Sequence, residues 1–157
     1  ESFKTPLLIR WPNKITPGIT NDEMVQNLDF AQTFLEAAQI SAPVDMQGES
    51  LMPLLTGNGE WSRDAVYYHY YEYPAVHAVK RHYAVVTKNY RLVHFYYDVD
   101  EWELYDRKND PQEMKNVYND PSYAETVQML KTKLADLRTK YKDSNELDQK
   151  YIDQIQK

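Results

Sequence analysis

The alternation of apolar and polar positions divides the chain into a strand-rich middle flanked by two helical stretches. From Val66 to Tyr73 the residues are β-branched and aromatic, the composition that fits a pleated, half-buried surface. Tyr83–Thr87 and Tyr90–Tyr97 repeat that signal, and Lys88-Asn89 between them suits a two-residue hairpin turn. Glu101–Tyr105 predicts a fourth strand, ended by Asp106 and the Asp110-Pro111 turn. The rhythm then changes. Tyr123, Val127, Leu130, Leu134, Leu137 and Tyr141 recur by four and three, which gives a helix one apolar face. Ser122 to Glu125, directly after Pro121, has the form of a capping box.

The first 60 residues are patterned differently. Pro6-Leu7-Leu8-Ile9-Arg10-Trp11 is a short apolar run of the kind a buried strand shows, closed by Pro12, with a turn over residues 13–18. Asp29 to Gln32 reads as a second capping box, and Ala31, Phe34, Leu35 and Ala38 continue it as an amphipathic helix to about Gln39. Pro43, Gly48, Pro53, Gly57 and Gly59 mark residues 41–65 as an irregular connection with one helical turn at Leu51–Leu55. From Asp143 the chain is polar apart from Leu147, Tyr151, Ile152 and Ile155, which predicts a tail or a weak helix. The expected fold class is α+β. Residues 1–60 predict a strand, a helix and a loop that end something larger, residues 61–142 a four-stranded antiparallel sheet with a C-terminal packing helix, and residues 143–157 a polar tail. One strand and one helix cannot cover their own apolar surface, so residues 7–11 and the 28–40 helix are expected to be exposed and to favour association.

Composition narrows the function. The chain has 157 residues, 42% hydrophobic and 27% charged, a globular balance of a size that suits one domain. No apolar run approaches the roughly 20 residues of a membrane-spanning helix. A net charge of −6 argues against nonspecific nucleic-acid binding. The absence of cysteine removes disulfides, thiolate metal sites and cysteine nucleophiles from this chain. Opening on Glu1, without Met or a signal peptide, it reads as a fragment.

Charge is unevenly placed. Residues 61–97 carry five basic and two acidic side chains and all four histidines, between an acidic first third and an acidic stretch over residues 98–120. Such a segment suits either an anion or strands whose polar faces are basic. Within it, Glu72 to Tyr83 lies between two predicted strands and offers imidazole, ammonium and guanidinium donors beside Tyr rings. His77 leads the candidates for substrate contact, followed by Arg81, Lys80 and His82. His69 and His94, inside predicted strands among Tyr and Phe, read as hydrogen-bonded structural imidazoles. Asp98, Asp100, Glu101 and Glu103 lack the Gly and distal Glu of a calcium loop and read as a solvated turn, so no metal site is expected here.

Four blocks resemble one family in its own order: Lys4 to Gly18, Asn27 to Ala38, Met46 to Gly57, and Glu103 to Asp106 with Asp110 to Glu113 and Asn116. Together they are similar to the C-terminal portion of sulfatases of the formylglycine type, relatives of the alkaline phosphatases. Residues 66–97 most resemble bacterial N-acetylglucosamine-6-sulfatase-like and glycosaminoglycan enzymes. The resemblance implies a parent with a formylglycine nucleophile made within a Cys/Ser-x-Pro-x-Arg motif, and a calcium ion held by Asp and Asn. Here Ser41-Ala42-Pro43 is followed by Val44 and Asp45, with Asp in place of the required Arg, so the nucleophile and the calcium ligands are expected upstream. The resemblance thus implies a fragment that hydrolyses nothing alone, holds no cofactor, and helps an upstream catalytic domain recognise a sulfated saccharide in the periplasm or outside the cell. A non-catalytic sugar-binding module, or part of a related phosphodiesterase or phosphonate hydrolase, stays open.

Overall fold

The computed structural model describes residues 4–74 and 76–155 and divides the chain into two compact units, Glu1–Arg63 and Asp64–Lys157.

In the first unit, helices α1 (Asp29–Ala37) and α2 (Met52–Thr56) form where the sequence predicts them. The apolar run at residues 6–11 does not become a strand: Leu8 is 93% exposed, and Leu7 and Ile9 are exposed as well. A strand needs a neighbour for its ladder, and among the described residues no other strand belongs to this unit. Helix α1 buries Asp29, Gln32 and Thr33, while Phe34 on the expected apolar face stands 70% exposed. The expected capping box is absent too. Asp29 lies inside the helix, and its carboxylate accepts hydrogen bonds from the Gln26 and Glu49 amides and from Arg63. Thr33 Oγ1 donates to the Asp29 carbonyl and accepts from Leu51 N, tying the later loop to α1. Gly57 closes α2 in the left-handed region, at φ 70°.

The second unit is an antiparallel meander, β1 (Val66–Tyr70), β2 (His82–Val86), β3 (Tyr90–Phe95) and β4 (Glu101–Asp106), in sheet order β1-β2-β3-β4. Lys88-Asn89 joins β2 to β3 as expected, with Thr87 N donating to the Tyr90 carbonyl at 2.8 Å. Period-two alternation places Tyr83, Val85, Leu92 and Leu104 in one core with Leu130 and Leu134 of helix α3 (Ala124–Lys140). The entry to α3 is a single 3-10 turn at Pro121–Tyr123, capped by Asp120 rather than by the predicted Ser122. Pro121 favours the turn, and Asp120 is the side chain placed to reach the Ser122 amide. Residues 145–155 form a further helix, α4 (Asn145–Ile155), the second of the two alternatives, a tail or a weak helix, that the sequence predicts. Ile152 and Asp148 are buried, and Arg138 of α3 donates to Asp148 at 2.8 Å. That pairing lets a polar segment dock.

Candidate functional site

His77, Lys80 and Arg81 lie on the segment between β1 and β2, with Ala75 outside the described residues, and His82 is the first residue of β2. The structure does not bring all four to one surface. His77 is exposed and, among the described residues, has no hydrogen-bond or ion-pair partner. Lys80 is already engaged: its ammonium pairs with Asp98, donates to the Tyr73 hydroxyl at 2.8 Å and sits 4.3 Å from that ring's centroid. The hydrogen bonds to Asp98 and Tyr73 hold its pKa above the ordinary lysine value.

Arg81 is fully buried, with its Nε donating to the Tyr73 carbonyl at 2.6 Å and its guanidinium 5.5 Å from the Tyr97 ring. Its Nη1 and Nη2 make no hydrogen bond. A buried guanidinium without a carboxylate is costly, and the Tyr96 hydroxyl, whose pKa this charge lowers against the effect of burial, and the Tyr97 ring are its polar and aromatic neighbours here. His82 is buried and removed from the contact set. Its Nδ1 donates to the Lys80 carbonyl at 2.8 Å, and its ring stacks on Tyr70 at 5.5 Å and leans on Phe95 at 5.0 Å. Burial pushes its pKa down, keeping the imidazole neutral. The reason is register: His82 opens β2 opposite Phe95, so its ring follows the sheet and not the loop.

His69 and His94 are hydrogen-bonded within the fold. His94 donates from Nε2 to Asp100 at 2.7 Å, accepts from the Tyr83 hydroxyl at 2.7 Å, and stacks on Trp102 at 4.0 Å. Burial nevertheless pushes its pKa below the usual imidazole value. His69 reaches Asp143 at 3.0 Å through Nδ1 and the Tyr96 hydroxyl at 2.5 Å through Nε2.

His69, Asp143 and Asp148 bring ligand atoms within 4.8 Å of one another. Arg138 already bridges both carboxylates, at 3.4 Å to Asp143 and 2.8 Å to Asp148, and lies 4.0 Å from the Tyr83 ring. The donor set, two carboxylates neutralised by a guanidinium plus one imidazole, does not fit calcium, which takes six to eight oxygens. Of the acidic side chains after β3, Asp98 pairs with Lys80, Asp100 with His94, and Glu103 accepts from Tyr105 at 2.8 Å. They answer separate partners and do not converge on one centre.

Sequence reasoning passed over Tyr73 and Asp98 as site residues. The available signal was the hairpin: continuing its register beyond the His82–Phe95 pair sets Lys80 opposite Tyr97, next to Asp98.

Comparison with known proteins supplies the context. The family model described as N-sulphoglucosamine sulphohydrolase, C-terminal, matches residues 1–140. An N-acetylglucosamine-6-O-sulfatase of Bacteroides thetaiotaomicron is 47% identical over 149 residues, covering 92% of this chain and 26% of the relative. A solved structure described as in complex with its substrate D-glucosamine-2-N,6-O-disulfate superposes with a TM-score of 0.82 at 46% identity, over 87% of this chain and 28% of that one. A phosphonate monoester hydrolase of Silicibacter pomeroyi shares the fold alone, with a TM-score of 0.71 at 20% identity, over 84% of this chain and 28% of that one. The chain therefore spans about a quarter of the length of these relatives.

Proposed function

This chain belongs to the N-sulphoglucosamine sulphohydrolase C-terminal family, and from that membership we propose that it is the recognition end of a sulfatase acting on a sulfated sugar. The parent would hydrolyse sulfate esters of the N-acetylglucosamine-6-sulfate or glycosaminoglycan type. The chemistry of hydrolysis, with the formylglycine nucleophile and the calcium ion, belongs in this proposal to an upstream catalytic domain of the same polypeptide. The same proposal puts the parent in the periplasm or outside the cell.

The observation that carries the reading is one exposed donor with no internal acceptor among the described residues. His77 is exposed and unpartnered among the described residues, on a segment where Lys80 is engaged by Asp98 and Arg81 is buried. Sulfate, carboxylate and sugar hydroxyls are the acceptors that such donors suit, with charge-assisted bonds the strongest.

The test is His77→Ala in the full-length parent, assayed on a sulfated monosaccharide. Loss of one charge-assisted hydrogen bond is expected to lower kcat/KM roughly 10- to 100-fold with the fold intact. An unchanged kcat/KM would remove His77 from the site and with it the recognition reading of this segment.

A further inference from the structure

His77 stands on a segment that leaves β1 after Tyr70 and rejoins the sheet at His82. Holding such a segment in one conformation costs on the order of 1–2 kcal/mol per residue. Its upper part offsets little of that cost, because Pro74 and residues 76–79 are exposed, Val76 almost completely. The order has to come from the base.

At the base one residue is held from two sides. Tyr73, where the segment begins to rise, gives its carbonyl to Arg81 Nε at 2.6 Å. Its hydroxyl accepts from Lys80 Nζ at 2.8 Å, and the same ammonium lies 4.3 Å from its ring centroid. Lys80 and Arg81 are the two residues by which the segment comes back down. Each is fixed in turn to the neighbouring strand's end: Lys80 pairs with Asp98, and the Arg81 carbonyl accepts from Tyr96 N at 3.1 Å.

Resting on the recognition reading above, we propose that Tyr73 and Asp98 are positioning residues for His77. Acting through Lys80, they clasp the base of the segment so that the imidazole meets a sulfated sugar from a fixed place. In this role the Lys80 ammonium serves the segment and not the substrate, its charge answered by Asp98 before any sugar arrives. None of the clasp residues belongs to the hydrophobic core of the unit, which is built from Ala65, Tyr83, Val85, Leu92, Leu104 and Val117 with Leu130 and Leu134 of α3. Loosening the clasp therefore acts on preorganisation, the part of affinity that a fixed binding group supplies.

The experiment uses the full-length parent carrying Tyr73→Phe or Asp98→Asn, substitutions that preserve shape and spare the Arg81 bond to the Tyr73 carbonyl. Amide exchange at residues 76–80 is expected to quicken about twofold to fivefold in each, the range of an exposed ion pair or single hydrogen bond. KM for a sulfated monosaccharide is expected to rise by a similar factor at constant kcat and constant Tm, and Asp98→Glu to restore both readouts. Unchanged exchange at residues 76–80 in both variants would overturn the clasp. Faster exchange with an unchanged KM would overturn the recognition reading and leave the clasp as structure alone.

Discussion

Asp29 and Arg63, 34 residues apart, meet in a two-pronged ion pair with Nη1–Oδ2 at 2.5 Å and Nη2–Oδ1 at 2.7 Å. The side chains are 0% and 3% exposed, and two backbone amides complete the shell around the carboxylate. Helix α1 thus fastens to the end of its unit through charge where the sequence pattern anticipated apolar packing.

Breaking a buried pair leaves its surviving member charged and unsatisfied. Asp29→Asn is expected to destabilise the first unit by about 3–5 kcal/mol. Urea denaturation followed by tryptophan fluorescence checks this, since Trp11 and Trp61 both lie in that unit.

Gly48 sits against α1 so closely that a Cβ there would overlap the Leu28 carbonyl and lie 2.7 Å from Gln32 Oε1. Backbone cannot yield as a flexible side-chain tip can. Gly48→Ala is expected to cost about 1–3 kcal/mol by the same measurement.

Acid is expected to weaken the second unit through Asp143. Burial alone would raise its pKa, but hydrogen bonds from His69 and Tyr67 and the Arg138 charge prevail and bring it to about 2. A carboxyl depressed on folding adds stability that is complete above its unfolded value of about 4 and lost as pH falls toward the folded value. The contribution is on the order of 2 kcal/mol. Asp143→Asn should remove that part of the acid dependence, read as the slope of Tm between about pH 5 and pH 2.

Leu130 is fully buried in the α3–sheet core. Leu130→Ala is expected to cost about 2–5 kcal/mol through lost burial and the cavity left behind. Differential scanning calorimetry should show a lower Tm with the secondary structure retained.

The middle of the chain was legible because its signals are local. Alternating aromatic and β-branched residues specify a sheet face, and Lys88-Asn89 fixes the β2–β3 register within a few residues. The α3 periodicity placed Leu130 and Leu134 in the core for the same reason. The family blocks pointed to a sulfatase C-terminal domain in the same way. They are runs of adjacent residues.

What only the tertiary structure decided depends on partners distant in sequence. Whether residues 6–11 become a strand turns on a neighbouring strand, which an apolar run cannot supply for itself. Asp29 looked like a cap because its carboxylate, read locally, had only the next amides to meet. Folding gave it Arg63. Residues 145–155 read equally as a tail or a weak helix because their buried Asp148 is polar, and the Arg138 that makes its burial tolerable lies on another helix. In the candidate site the sequence marked the donors, while the fold chose among them, leaving His77 exposed, burying His82 in the sheet and engaging Lys80 with Asp98. A sequence carries the chemistry of each side chain, but exposure and counter-charge are properties of the packed chain, and those two properties decide which donors remain for a substrate.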